Sequence, residues 1–231
     1  MTIDFSENSV LVARQALQQQ SALVLNRKQP SSLVLMLLDR SGSMEQFGDT
    51  PRLAANECLQ TLQAQPGVEN AMGAIFTFAG GISLNVEPQP VKGIKPLTGY
   101  SAGGGTKLYE AVYGALYLAT EYQTAAEVAG VDVSVAISVI TDGDDTASGP
   151  GIHDKLLRLA ETARDKNYML QCLGIGVDSE RLSKLLGFQP GYARTVASTA
   201  QGVRDAAKES SVLFSRSILF TVTPSGDAKA R

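Results

Sequence analysis

Two apolar stretches that each end in an acid constrain the fold of this chain more than any other feature. Residues 33–38 contain only Leu, Val and Met and lead into Asp39, and residues 133–140, rich in Val and Ile, lead into Thr141 and Asp142. Near-continuous apolar runs of this length are typical of parallel strands that are covered on both faces. We therefore predict two central strands of a parallel sheet, with an acid at the carboxyl end of each.

Further strand and helix patterns alternate along the chain. Candidate strands cover residues 73–78, 82–86, 168–175 and 195–197. Apolar residues at helical spacing begin at Ala55, Leu108, Leu156 and Val203. This alternation predicts an α/β fold, a doubly wound and mostly parallel central sheet with helices on both faces. The two glycines between residues 78 and 82 leave no room for a crossover helix, so the flanking strands should form an antiparallel hairpin at one sheet edge.

The 231 residues suffice for one domain with short extensions. We assign residues 31–214 to the domain and residues 1–30 to an N-terminal extension with one possible helix. Residues 215–231 form a C-terminal extension whose polar tail we expect to be partly disordered. Two short apolar pieces, residues 22–25 and 218–222, could pair with each other or with a sheet edge, and the sequence leaves this open.

Composition restricts the partners and the compartment. The net charge of −3 argues against non-specific binding to nucleic acid or to acidic lipid. No apolar run is long enough to cross a bilayer, and the first residues lack the pattern of a secretory signal. Cys58 and Cys172 lie within apolar patterns, as buried thiols do, which favours a reducing compartment. We expect a cytoplasmic protein that binds neither nucleic acid nor membrane.

Oxygen-bearing side chains from three segments are expected to meet beyond the strand ends. In the extended segment after the first strand, alternate residues point the same way, so one acid and two hydroxyls converge. A run of three glycines delivers another hydroxyl, and the second acid-terminated strand supplies another carboxylate. Hard oxygen donors of this kind suit Mg²⁺, Mn²⁺ or Ca²⁺. The predicted metal ligands are Asp39, Ser41, Ser43, Thr106 and Asp142.

In their order and spacing, these segments resemble the metal-ion-dependent adhesion site (MIDAS) of von Willebrand factor A (VWA) domains. The resemblance covers roughly residues 32–214, and all five positions of the pattern are filled. It implies that Thr106 coordinates the metal directly in the ligand-bound form and that Asp142 acts directly or through water. Arg40 stands where animal members more usually have Thr or Ser. Within the family, the chain resembles bacterial stand-alone members of the stress-associated kind, including tellurium-resistance types, more than it resembles matrix adhesins.

The resemblance implies a metal-dependent protein-binding module of a bacterial stress-response system. Such a module captures an Asp or Glu carboxylate from a partner and has no enzymatic activity. The alternative is a metal-assisted phosphohydrolase on a similar sheet. A hydrolase of that kind needs several carboxylates on the metal and a base that activates water. The motif offers hydroxyls and two acids without a histidine or lysine, which favours the binding module.

Each residue has a simpler interpretation when it is taken alone. Ser and Asp after a strand often only cap the next helix. Phe47 and Tyr100 flank the predicted site, where they either contact a partner or pack the loops. His153 is interpreted as a surface or helix-entry residue, and Glu110 as part of a solvated helix face. The motif assigns no role to Asp144 and Asp145.

Overall fold

The computed structural model describes residues 8–222. Its strands are β1 (Ser31–Asp39), β2 (Ala71–Phe78), β3 (Ile82–Pro90), β4 (Val133–Thr141), β5 (Met169–Ile175) and β6 (Ala193–Val196). They form one sheet in the order β3-β2-β1-β4-β5-β6. β3 pairs with β2 in antiparallel fashion at one edge, and the other pairs are parallel. The predicted mostly parallel sheet and its hairpin edge are confirmed.

Helices cover both faces of this sheet. They are α1 (Asn8–Gln20), α2 (Ala22–Leu25), α3 (Thr50–Gln63), α4 (Leu108–Ala129), α5 (Ile152–Asp165), α6 (Ser179–Leu185) and α7 (Ala200–Leu219). Buried residues of α1, α4, α5 and α6 form one core layer, and those of α3 and α7 form the other. All nine residues of β1 are buried, as its apolar run predicts. No helix within residues 8–222 has the length and apolar character that a bilayer span requires.

The order of the strands reverses between β1 and β4. The chain builds outward from β1 to β3 on one side and from β4 to β6 on the other. Leu38 of β1 lies opposite Ile140 of β4, so the acids that follow them come to adjacent strand ends. A reversal of this kind opens a crevice at the carboxyl ends of the strands, which is where open α/β sheets bind ligands. Asp39 and Asp142 therefore meet at this crevice, as predicted.

The segments before and after the central strands take part in the same core. Val10 and Leu17 of α1 are buried against the layer that contains α4. Gly114 allows this approach, because a Cβ there would lie 2.9 Å from a methyl carbon of Val10. At the other end, α7 runs on to Leu219, and the Thr221 hydroxyl after it donates a hydrogen bond to the carbonyl of Gly67.

Neither short apolar piece joins the sheet. Residues 22–25 form α2, in which the Ser21 carbonyl accepts hydrogen bonds from the next turn, and residues 218–222 complete α7 and the turn that follows. The option that these pieces pair as strands is therefore wrong, because local helical hydrogen bonds satisfy both. The predicted disorder of the polar tail concerns residues 223–231, which lie outside the described residues, as do residues 1–7.

Candidate metal centre

Asp39, the last residue of β1, is fully buried where the strand meets the first loop. Its Oδ1 accepts a hydrogen bond from the Ser41 N–H (2.7 Å), and its Oδ2 accepts one from the Thr141 hydroxyl (2.5 Å). Burial raises the pKa of the Asp39 carboxyl from 3.8 to about 6; these hydrogen bonds oppose the rise, and the nearby charge of Asp142 adds to it. Both hydrogen-bond donors are neutral groups and do not balance the charge of an ionised Asp39. A cation beside Asp39 would therefore stabilise its ionised form.

Ser41 and Ser43 connect this carboxylate to Asp142. The two serine hydroxyls lie 3.2 Å apart, and the Ser43 hydroxyl donates to Oδ1 of Asp142 (2.7 Å). Ser41 is buried, Ser43 is exposed and Asp142 is half-buried. Partial burial raises the pKa of the Asp142 carboxyl, and the hydrogen bond from Ser43 opposes this. Four predicted ligands thus form one hydrogen-bonded chain that runs from the core to the surface.

The glycine loop fixes the backbone of the first loop. The Gly103 N–H donates to the carbonyl of Arg40 (2.8 Å), and the Gly42 N–H donates to the carbonyl of Gly104 (3.0 Å). Gly104 has a φ of 82°, a left-handed conformation that favours glycine. The half-buried Tyr100 donates its hydroxyl to the carbonyl of Asp39 (2.6 Å). The loop that carries the first three predicted ligands is therefore held in place by the loop that precedes Thr106.

Thr106 is the predicted ligand that this chain of hydrogen bonds leaves out. Its side chain is buried, and its backbone is bonded to the loop after β4. The Thr106 N–H donates to the Thr146 hydroxyl (2.9 Å), and its carbonyl accepts from the N–H groups of Thr146 (2.9 Å) and Ala147 (3.1 Å). Thr106 is thus anchored to the segment that follows Asp142.

Three acids near the predicted ligands are paired with other groups of the protein. Asp144 forms an exposed ion pair with Arg181 (2.5 Å). The Asp145 carboxylate accepts a hydrogen bond from a backbone N–H in the first turn of α4. Glu110 accepts a hydrogen bond from the Gly149 N–H (2.8 Å) and forms an ion pair with Lys107, so its interpretation as a solvated face residue is wrong.

Phe47 is a core residue, only 6% exposed, and packs in the layer under α3. Of its two sequence interpretations, loop packing is therefore correct, because a buried ring is not available to a partner. His153 lies at the entry of α5, as predicted, where its ring stacks on Tyr109 with centroids 4.4 Å apart. The sequence pattern did not identify Thr141 as a hydrogen-bond partner of Asp39, although its place directly before Asp142 was the available signal.

The donor set fits a hard divalent cation. It combines two carboxylates with neutral hydroxyls, and oxygen donors of this kind are those that Mg²⁺, Mn²⁺ and Ca²⁺ prefer. Within residues 8–222, no three His, Cys, Asp or Glu side chains gather into a metal-binding group.

No protein-family profile and no curated protein sequence gives a significant match to this chain. Solved structures do. The pilus adhesin SpaC from Lactobacillus rhamnosus GG, in its open conformation, aligns with a TM-score of 0.62 at 15% identity over 81% of this chain and 30% of the adhesin. A von Willebrand factor type A protein from Catenulispora acidiphila aligns with a TM-score of 0.55 at 17% identity over 82% of this chain and 43% of that one. The fold is that of a von Willebrand factor A domain.

A third VWA-like structure carries a metal. Proximal thread matrix protein 1 from the mussel byssus, with a zinc-occupied MIDAS motif, aligns with a TM-score of 0.53 at 12% identity over 81% of this chain and 46% of that protein. At these identities the likeness shows the fold alone, and this chain spans less than half the length of each of the three. The resemblance drawn from the sequence is confirmed at the level of the VWA fold.

Proposed function

We propose that this VWA domain is a metal-dependent protein-binding module. A divalent cation, Mg²⁺ or in its place Mn²⁺ or Ca²⁺, is held by Asp39, Ser41, Ser43, Thr106 and Asp142. The bound metal supplies an electrophilic centre that accepts a carboxylate oxygen of an Asp or Glu from a partner. The domain's own residues hold the cation in place and leave one side of it open.

The observation that carries this proposal is the hydrogen-bonded chain from Asp39 through Ser41 and Ser43 to Asp142. It brings carboxylates from the ends of two neighbouring strands to one place and reaches the surface at the exposed Ser43. The buried Asp39 supplies a charge that a cation can balance, while the exposed end gives an outside ligand access. Once a partner covers that end, a charge-assisted contact there would be partly shielded from water and therefore stronger.

The donor chemistry favours binding over hydrolysis. Hydrolytic metal centres use several carboxylates or a base to activate water. Two acids with neutral hydroxyls leave the cation short of negative charge, so an external carboxylate is an attractive ligand. Among the structural neighbours, SpaC is an adhesin, which is the same broad class of function. We therefore propose a module without enzymatic activity.

The proposed setting is the bacterial cytoplasm. Cys58 and Cys172 are buried free thiols, as expected in a reducing compartment. A role in a stress-response system is proposed from the sequence resemblance alone.

Affinity capture in the presence and absence of metal tests this function. The immobilised domain is exposed to cell extract in Mg²⁺ and in chelator, beside the variants Asp39→Ala and Asp154→Ala. Asp154 is an exposed acid on α5, so its variant controls for loss of charge. We expect a protein that is retained by wild type and Asp154→Ala only in Mg²⁺ and that Asp39→Ala does not retain.

The purified partner then serves for affinity measurements with Mg²⁺, with chelator and with Thr106→Ala. An affinity that neither chelator nor Thr106→Ala changes would show that recognition lies on another face. Turnover of a generic phosphate ester with Mg²⁺ or Mn²⁺ that Asp39→Ala abolishes would instead favour the phosphohydrolase.

A further inference from the structure

The N-terminus of α4 is capped by a segment from elsewhere in the chain. The residue before the helix, Lys107, makes no side-chain capping hydrogen bond. Instead, the first-turn N–H of Tyr109 donates to Oδ1 of Asp145 (3.0 Å), and that of Glu110 donates to the hydroxyl of Ser148 (3.2 Å). The loop between β4 and α5 thus supplies the acceptors that a helix start normally takes from its own capping residue.

The same loop holds Thr106. Residues 146 and 147 form all three backbone hydrogen bonds of Thr106 described above. Within the loop, the Asp145 carboxylate accepts hydrogen bonds from the hydroxyl (2.5 Å) and the N–H (3.2 Å) of Ser148. The Gly149 N–H donates a hydrogen bond to the Glu110 carboxylate, which adds a further contact between this loop and α4. We call residues 145–149 the capping segment.

Asp145 is the residue that unites these contacts. One of its carboxylate oxygens bonds to α4, and both oxygens bond to Ser148 inside the capping segment. Thr106 lies between the two, two residues before α4 and bonded directly to the capping segment. A displacement of Thr106 must therefore carry both neighbours with it or break several hydrogen bonds.

We propose that Asp145 is a positioning residue for the metal centre, fixing Thr106 as a ligand by locking the start of α4 to the capping segment. This inference rests on the proposed function, since it takes Thr106 as a ligand. Asp145 itself does not bind the metal. Groups that orient metal ligands in this way commonly change affinity by about 10–100-fold when they are removed.

The charge of Asp145 offers a competing explanation, because an acid near a cation attracts it without orienting anything. The two explanations differ for Asp145→Asn, which removes the charge but keeps an oxygen that can accept from Tyr109. They also differ in a Thr106→Val background. There the Thr106 hydroxyl is absent, so its positioning no longer matters, whereas the attraction between the Asp145 charge and the metal persists.

Titration of the full chain with Mn²⁺ alone distinguishes them. We expect Asp145→Ala to weaken Mn²⁺ binding about tenfold and Asp145→Asn to stay close to wild type. The double variant Asp145→Ala with Thr106→Val should bind no more weakly than Thr106→Val. Asp178→Ala is the matched control, because Asp178 caps α6 by accepting from the N–H groups of Glu180 and Arg181. It should keep wild-type affinity.

Wild-type Mn²⁺ affinity in Asp145→Ala overturns the proposal while the proposed function stands. A loss that is equal in Asp145→Asn and persists in the Thr106→Val background also overturns it, in favour of charge. Absence of Mn²⁺ binding by the wild type overturns the proposed function, and the positioning role with it. If Asp145→Ala does not fold, Ser148→Ala, which removes the acceptor for Glu110, replaces it in the same comparison.

Discussion

Two regions of this domain are rich in hydroxyl side chains, and they differ in their partners. The first lies between α7 and the sheet, where Ser32 pairs with Ser217 and Ser138 pairs with Ser210, each at 2.7 Å. These hydroxyls are fully buried, and each meets another neutral group. We call it the α7 hydroxyl cluster; its members are Ser32, Ser134, Ser138, Gln171, Ser210 and Ser217. It is a closed structural contact.

In the proposed metal centre, by contrast, the hydroxyls donate to acids. Ser43 donates to Asp142, and Thr141 donates to Asp39. The chain of hydrogen bonds also reaches the exposed Ser43, whereas the four paired serines of the α7 hydroxyl cluster are fully buried. The comparison teaches that hydroxyl side chains in this fold occur both in closed contacts between neutral groups and in contacts with acids. Carboxylates at the reversal of the strand order, together with an exposed end, distinguish the metal centre.

The largest expected effect breaks the metal centre and spares the α7 hydroxyl cluster. Asp39→Ala removes the buried charge, so we expect Mg²⁺ affinity to fall by more than the roughly 10–100-fold that loss of a supporting group costs. Ser217→Ala should leave Mg²⁺ affinity unchanged. Isothermal titration calorimetry measures both, and equal affinity for wild type and Asp39→Ala would refute the assignment.

The buried charge should also have a cost in the metal-free protein. The folded state holds the Asp39 proton more tightly than the unfolded chain, with a pKa of about 6 against 3.8. The contribution of Asp39 to the free energy of unfolding therefore falls by up to roughly 3 kcal/mol as the pH rises from about 4 to about 6. Asp39→Asn should lack this fall and be more stable than wild type at pH 7 in chelator. Urea denaturation across pH measures it; parallel pH profiles of the two proteins would contradict the account.

The α7 hydroxyl cluster should respond in stability alone. Ser217→Ala leaves Ser32 and Ser134 without their shared buried partner. Unsatisfied buried polar groups cost about 1–3 kcal/mol, and we expect a loss of unfolding free energy in that range. Chemical denaturation gives the value, and an unchanged midpoint would mean that the hydroxyls find other partners.

Ser43→Ala should show the opposite behaviour. Its side chain is exposed, so we expect little change in stability. It removes a neutral donor worth about 1 kcal/mol, so Mg²⁺ affinity should fall by about tenfold or less. Calorimetry and denaturation on the same sample test both parts, and a stability loss as large as that of Ser217→Ala would erase the contrast between the two regions.

The smallest effect is expected at the exposed ion pair beside the metal centre. Arg181→Ala removes the partner of Asp144, and pairs of this kind contribute little because water screens them. We expect no measurable change in denaturation midpoint or in Mg²⁺ affinity. A clear gain of affinity would show that the Asp144 carboxylate, once freed from Arg181, attracts the metal.

The sequence was sufficient wherever one segment carried its own signal. The apolar run before Asp39 predicted a buried parallel strand because a strand covered on both faces needs no polar positions. The adjacency of Asp39 and Asp142 followed from the two acid-terminated apolar runs, which predicted two central strands of the sheet. The hairpin at β3 followed from a linker too short for a helix.

Contacts between segments distant in sequence were not predictable in this way. Burial of Phe47 depends on how its loop folds onto the layer under α3. Capping of α4 by Asp145 joins residues 36 positions apart, and nothing near Tyr109 indicates it. The packing of α1 against Gly114 is likewise a tertiary contact. Such features follow from three-dimensional packing, which a local sequence pattern does not predict.

Anomalous diffraction from crystals grown with Mn²⁺ tests the central claim most directly. The account predicts one strong peak at the carboxyl ends of β1 and β4, within about 2.5 Å of oxygens from Ser41 and Ser43. Crystals of Asp39→Ala should lack that peak. A peak elsewhere on the surface, or an unchanged peak in Asp39→Ala, would contradict the account.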